Sequence, residues 1–343
     1  MKYKATSFDI AYKAGVSQST VSRALRNSPL VNEETRHKIH AIAKELNYKV
    51  DKNASNLRSQ HTGTLALLLF EDPTMDDSLI NPFFLSMLGS ITRAAAKKGY
   101  DLLISFQQLS DDWHADYEDA SKADGIILLG YGDYLDYEEK LEKLYEQGTH
   151  FVRYGSVAEN QPGVSFGCDN YQGGYMATQH LIKLGRKDFI FLGGASDNSP
   201  EFRARYQGYC QALKEAGLRI RDNAQLDAIS TEESGYQAAQ QAFEQKIKFD
   251  AVICASDLIA IGGIRAIKAH GLTIPTDVSI VGFDDIPIAH FANPPLTTIQ
   301  QNTRLAGEML VDALINLIHN LEVKASLTPA TLIVRESCGS EQT

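Results

Sequence analysis

Cysteine is scarce in this chain: Cys168, Cys210, Cys254 and Cys338 are the only four, and no two form a CxxC pair. Such spacing suits neither a zinc site nor a disulfide framework, so packed thiols in a reducing cytoplasm are expected. No apolar run approaches the roughly 20 residues that a membrane helix needs. The opening "MKYKATSFDI" lacks the uninterrupted apolar region of a secretion signal. The nine histidines show no HExxH or paired metal spacing, and no stretch resembles a nucleophile elbow or a phosphate loop. No metal, cofactor or catalytic group is therefore expected, and the chain reads as a non-enzyme. Tandem repeats and low-complexity segments are also missing.

What the sequence does have is a charge asymmetry. The 343 residues sum to −10, yet residues 1–60 hold eleven Lys and Arg against five Asp and Glu. A basic head on an acidic body suits contact between the head alone and a polyanion, although a solvated lysine-rich surface gives the same count. Hydrophobic residues make up 43% of the chain, ample for a buried core, and the length allows two or three compact units.

The head reads as three short helices. Ile10 and Ala14 lie four apart on one, and Val21 and Leu25 four apart on the next. Between them Gly15 can take a positive φ and Ser17 can cap the second helix. A third follows Pro29, with Asn32 as its cap, Glu33 and Glu34 at its positive end, and Ile39, Ile42, Ala43 and Leu46 facing inward. From residue 62 the pattern changes to apolar runs typical of buried parallel strands: "TLALLLF", "DLLISF", "GIILLG" and "HFVRYG", then "FIFLGG", "AVICAS" and "SIVGF". Helical stretches separate them, and "ATLIVRES" reads as one more strand. Two successive α/β sets suggest two doubly wound lobes with a ligand cleft at the carboxyl ends of their strands.

The segment "AGVSQSTVSRAL" carries the clearest chemistry. Small residues at Ala11, Ala14 and Gly15 let two helices cross closely, while Val16, Val21 and Leu25 bury the inner side of the second. Gln18, Ser19, Ser22 and Arg23 are left outside near its amino end, where amide, hydroxyl and guanidinium groups can read base edges in a major groove. Thr20, Arg26 and the helix amino end, capped by Ser17, suit phosphates. Many enzymes also contain helical hairpins with polar outer faces, so spacing alone leaves that alternative open.

Residues 9–48, "DIAYKAGVSQSTVSRALRNSPLVNEETRHKI…LNY", resemble the headpiece of the lactose/galactose-repressor family. The resemblance continues through "NPFF", "DNYQGGYMATQHLIKLGRKDFIFLGG", "RYQGYCQAL", "ASDLIAIGGIRAI", "DVSIVGFDDIP", "PPLTTIQQ" and "LIVRES", in order and over nearly the whole chain. It implies an all-α helix-turn-helix headpiece at residues 1–50 and a hinge helix and linker at 51–61. The body it implies is periplasmic-binding-protein-like, with one lobe at 62–161 and 292–324 and the other at 162–291 and 325–343. It also implies a homodimer reading a roughly palindromic operator. In the hinge "KNASNLRS", Ala54 and Leu57 match the minor-groove positions, where an apolar wedge can kink the duplex. Val50, Asp51, Ser55 and Arg26 depart from the usual family residues.

In the body, the resemblance implies that Arg205 hydrogen-bonds effector oxygens, that Asp284 is the principal carboxylate, and that Asp169 faces it from the opposite wall. Ser256 and Asp257 match a strand end in the second lobe, and Phe83 and Phe84 match an aromatic wall, one of the two packing in the core. Acids that follow strands often cap helices, so Asp169 and Asp257 carry that structural alternative. Ser230 stands where the lactose and purine repressors have a stacking aromatic, which disfavours a planar purine. Trp113, after two aspartates, is expected at a surface or dimer edge.

The expectation is a cytoplasmic homodimeric repressor of carbohydrate-utilisation genes, released when a mono- or disaccharide occupies the cleft. The alternatives are a nucleobase-sensing, corepressor-dependent repressor and, more remotely, a solute-binding protein. The latter predicts an export signal and no basic head. The chain stops soon after "LIVRES" without an apolar heptad tail, so dimers rather than tail-mediated tetramers are expected.

Overall fold

The computed structural model describes residues 5–48, 61–70, 80–130, 134–157 and 161–340, in two compact units divided after Thr62. Ala54 and Leu57 lie outside the described residues.

The first unit holds α1 (Ser7–Ala14), α2 (Gln18–Leu25) and α3 (Glu33–Glu45). Local signals start and stop each helix. Gly15 ends α1 at φ 71°, where only a residue without Cβ sits unstrained. The Ser17 hydroxyl accepts from the Thr20 N–H at 3.2 Å, and the Asn32 amide oxygen from that of Thr35 at 2.8 Å. Ile10, Val21 and Ile39 are wholly buried, joined by Ala11, Ala14, Ala24, Val31, Ile42 and Ala43. The core is thus one small apolar cluster drawn from all three helices, as the spacing predicts.

The second unit contains two six-stranded sheets. The first has the order β11-β5-β4-β3-β1-β2 and is wholly parallel: β1 (Thr64–Leu69), β2 (Asp101–Phe106), β3 (Ile126–Leu129), β4 (Phe151–Tyr154), β5 (Val164–Cys168) and β11 (Ser326–Thr328). The second, β12-β10-β9-β8-β6-β7, comprises β6 (Phe189–Leu192), β7 (Gln225–Leu226), β8 (Ala251–Cys254), β9 (Ser279–Asp284), β10 (Thr297–Gln301) and β12 (Ala330–Ile333); only β12 runs antiparallel. Helices α4 (Pro82–Lys97), α5 (Tyr134–Glu146), α6 (Asn170–Lys183), α7 (Pro200–Glu215), α8 (Glu232–Glu244), α9 (Asp257–Ala269), α10 (Pro287–Phe291) and α11 (Thr303–Ile318) lie between the strands in sequence.

The lobe boundaries differ from those expected. β5 belongs to the first sheet, because Val152 pairs with Val164, and β11 extends that sheet by pairing Ser326 with Phe166. β10 belongs to the second, where Thr297 pairs with Val281. The chain therefore passes between lobes three times: after β5, after β10, and between β11 and β12. Trp113 also differs from expectation. It is 4% exposed, packed near Tyr117 and Tyr137, and its indole N–H donates to the Gln107 carbonyl at 3.1 Å. The aspartates before it lie outward while the ring turns into a satellite core.

Two helix pairs pack without intervening side chains. A Cβ on Gly174 of α6 would fall 2.0 Å from the Arg205 carbonyl oxygen of α7, and one on Gly208 would fall 2.0 Å from that of Tyr171. The same device recurs in α8 and α9, where a Cβ on Gly235 would meet the Ile259 carbonyl at 2.3 Å and one on Gly262 that of Glu232 at 2.0 Å. Backbone against backbone leaves no slack, so the first residues of α6 and the middle of α7 are held in fixed register.

Candidate functional site

On α2, Ser19, Arg23 and Arg26 are exposed, and Thr20 and Ser22 are half-buried. Ser17, Ser19 and Thr20 form a hydroxyl cluster with two 2.8 Å contacts, so Ser17 spends its oxygen on capping. The Gln18 side-chain amide donates to the Ser7 hydroxyl at 2.7 Å, which ties it to α1 rather than leaving it free. Arg26 folds back to donate to the Ser22 carbonyl at 3.2 Å. The helix thus offers outward the Arg23 guanidinium and the Ser19 hydroxyl beside its Ser17-capped amino end, donors that phosphates and base edges accept. Phe8 and Tyr12, one turn apart on α1, are 69% and 92% exposed. Their spacing places two aromatics on the outer side of α1, a signal that the sequence reading passed over.

A cavity of about 600 Å³ lies between the lobes, lined by Phe83 and Phe84 on one wall and by Arg205, Asp284, Ser230 and Gln301 among others. Asn81 caps α4 by accepting from the Phe83 N–H at 3.0 Å, and Pro82 fixes the first turn, which aims both phenylalanines. Phe83 is 6% exposed and meets Phe84 edge-on at 5.3 Å between centroids, so it belongs to core and wall at once.

Charge on the second lobe's wall is tightly held. Arg205 donates to the Asn170 side-chain oxygen at 2.8 Å and to the Ala255 carbonyl, while its guanidinium lies 3.7 Å from the centroid of the Phe283 ring. Its Nη1 is 3.7 Å from the Asp284 carboxylate. Burial raises the Asp284 pKa to about 6 against the pull of Arg205. Gln301 donates to Asp284 at 2.6 Å and accepts from the Tyr154 hydroxyl at 2.8 Å. A continuous chain thus runs from β4 of the first sheet to the end of β9 in the second. Asn81 to Ser230, at 3.2 Å, makes a second link across the cleft.

The cavity wall brings together Phe83, Phe84, Arg205 and Asp284 of the expected residues, but not Asp169, Ser256 or Asp257. Asp169 caps α6, accepting from the Gln172 N–H at 2.9 Å. Ser256 caps α9 and hydrogen-bonds Ser230 at 2.9 Å, one step behind the wall. Asp257 is fully buried; it accepts from Thr298 at 2.5 Å and from the Ile286 N–H at 2.9 Å, and burial together with the Asp284 charge raises its pKa. It buttresses the turn after Asp284, whose φ is 118°, from behind the cavity wall. The sequence reading missed Asn81, Tyr154, Asn170, Glu201 and Gln301. Asn81 before a proline is a recognisable cap signal; the others have no local signature. Among the described residues no group of His, Cys, Asp and Glu is placed to hold a metal ion, and no helix is long and apolar enough to cross a membrane.

Residues 74–336 match the family model described as periplasmic binding proteins and sugar binding domain of LacI family, and residues 8–51 match the one for bacterial regulatory proteins, lacI family. Among curated proteins, the HTH-type transcriptional regulator RegA of Clostridium saccharobutylicum is 33% identical over 319 residues, covering 92% of this chain and 93% of that one. The HTH-type transcriptional repressor PurR of Serratia proteamaculans is 30% identical over 317 residues, covering 92% and 90%. A crystal structure of the lac repressor dimer bound to operator and the anti-inducer ONPF superposes with a TM-score of 0.82 at 25% identity, covering 98% of this chain and 99% of that chain.

Proposed function

The chain belongs to the LacI family of bacterial regulatory proteins, and from that premise we propose that it is a homodimeric repressor whose hold on a roughly palindromic operator is relaxed by a mono- or disaccharide in the interlobe cavity. It is a DNA-binding transcriptional regulator and not an enzyme. Its partner is DNA, so it acts in the cytoplasm. In this reading α2 enters the major groove, with Arg23 and Ser19 on base edges and Thr20 and Arg26 on phosphates, while Ala54 and Leu57 meet the minor groove.

The observation that carries the effector reading is the chain Tyr154–Gln301–Asp284 beside Arg205. Asp284 accepts from neighbouring hydroxyls and Arg205 donates to oxygens, while phenylalanine rings cover an apolar sugar face. The same chain links the two lobes, so a ligand that takes over these bonds changes the free energy of the lobe arrangement. Operator affinity then falls by the ligand's differential affinity for the two arrangements. Ser230, hydrogen-bonded to Asn81 and Ser256, supplies a hydroxyl where a planar base would need a second ring. Dimer formation is supported by the apolar edge of the first sheet, where Leu103 and Ile104 of β2 are 37% and 47% exposed, and by Phe291 at 80%.

The test is a thermal-shift screen of the full chain against sugars, sugar phosphates and nucleobases, followed by operator titration with each ligand that binds. A sugar that raises the melting point and weakens operator binding is the expected result. A shift with hypoxanthine or guanine alone replaces the sugar reading with the nucleobase one, and tighter operator binding with ligand replaces induction with corepression.

A further inference from the structure

One charged group on the cavity wall has no part in the reading above. Glu201 stands in the first turn of α7, and its carboxyl accepts its own backbone N–H and that of Ser156, which follows β4 in the first lobe. The Oε1 oxygen is buried and has no hydrogen-bond partner among the described residues. No protein donor among the described residues meets this oxygen, and burial raises the pKa of the group. A donor on whatever fills the cavity would relieve it.

The charge balance of the wall points the same way. Among the described residues that line the cavity, Glu201, Asp227 and Asp284 are acidic and Arg205 is the single Lys or Arg. Arg205 is already committed to Asn170, Ala255 and Asp284. An anionic ligand would meet three carboxyls and one cation whose charge is largely spent, and in a partly desolvated cleft like charges repel strongly.

Resting on the sugar reading of this cavity, we propose that Glu201 is a specificity-determining residue that accepts a hydrogen bond from a hydroxyl or ammonium of the effector and, with Asp284, turns away phosphorylated sugars. The effector class is then a neutral or amino sugar. Glutamate here is a selector by sign of charge, whereas Asp284 and Arg205 serve any polyol.

The test is calorimetric titration of the full chain and its Glu201→Gln variant with ribose, glucose and galactose, with the corresponding ribose and hexose phosphates, and with glucosamine and galactosamine. The expected result is that at least one neutral or amino sugar binds wild type at least a hundredfold more tightly than its phosphate. In Glu201→Gln the favoured sugar weakens about tenfold and the gap to the phosphate narrows about tenfold, because the carboxylate's charge is gone while its shape remains. Preference for the amino sugar, lost in Glu201→Gln, assigns the ammonium as donor; equal binding of both assigns a hydroxyl. A phosphate that binds as tightly as its parent overturns the proposal, as does a Glu201→Gln protein whose affinities and gap stay within twofold. If the thermal-shift screen, disaccharides included, finds no sugar that binds wild type, the sugar reading itself fails and takes this inference with it. Glu201→Asp, which keeps the charge but withdraws it by one methylene, should still reject phosphates while binding the sugar less tightly. Ligand-free melting of each variant separates these effects from loss of fold.

Discussion

The two units of this regulator put their chemistry on opposite sides of their surfaces. The headpiece closes a small core of alanines, valines and isoleucines and leaves Ser19, Arg23 and Arg26 outside. The body turns Arg205 and Asp284 inward, 5% and 8% exposed, and holds them with Asn170, Gln301 and the Ala255 carbonyl. The contrast suits the ligands proposed for the two units. A duplex is large, rigid and polyanionic, so an exposed cationic helix suffices to meet it. A small neutral molecule must be surrounded, which requires desolvated charges whose positions are fixed in advance.

The sharpest way to break this contrast is to spoil the register that fixes the buried set. Gly208→Val should push α6 from α7 and destabilise the body by about 3 kcal/mol, roughly 6–10 °C in its melting transition, because backbone opposes backbone there. The headpiece transition should stay where it is; a body that melts as wild type would show that the helices can slide apart cheaply. Asp284→Asn acts more locally. It should cost the effector about 1.5–3 kcal/mol, the worth of hydrogen bonds to a charged group, while operator affinity without effector changes less than about threefold. Calorimetry and operator titration read the two sides separately.

On the outward side, Arg23→Ala should weaken operator binding by about 1–3 kcal/mol and relax the choice of base at one position. Arg26→Ala should weaken binding to all sequences alike and lower the salt slope by about one. If the two variants behave identically, the division of α2 into base and phosphate contacts is wrong.

The smallest expected effect concerns pH. Asp284 has its pKa raised to about 6 in the fold, so it takes up a proton on acidification and loses its capacity to accept from hydroxyls. Effector affinity should fall about tenfold between pH 7 and pH 5, with the raised Glu201 acting in the same direction. Stability follows the opposite sign. A carboxyl whose folded pKa lies above its unfolded one favours the fold when protonated, and that contribution is lost as pH rises through about 6. Asp284→Asn should flatten both profiles.

Legibility followed the same division. The headpiece was readable because each signal is local: Gly15 and Ser17 adjoin the helices they end and begin, and Ile39 and Ala43 are one turn apart. Most strands of the body announced themselves as apolar runs. β5, "VSFGC", did not, since it is short and interrupted by serine and glycine, and the lobe boundary was misplaced with it. In the cavity, Arg205 and Asp284 were legible through family blocks. Gln301 reaches Asp284 across 17 residues and Tyr154 reaches Gln301 across 147, and no local pattern encodes such meetings. Asp169 and Ser256 cap the helices that follow them, a role the rule for polar residues before a helix makes legible.

The three crossings between the lobes also limit what the sensor can say. Two bodies joined by one strand can swivel about several axes; joined by three, they keep one easy rotation. On the proposed reading, whatever occupies the cleft would be translated into a single angle, and ligands of different shape would differ in where along that arc they hold the lobes. Such a sensor would report position on one dial, and the identity of the molecule that turned it would be lost in transmission.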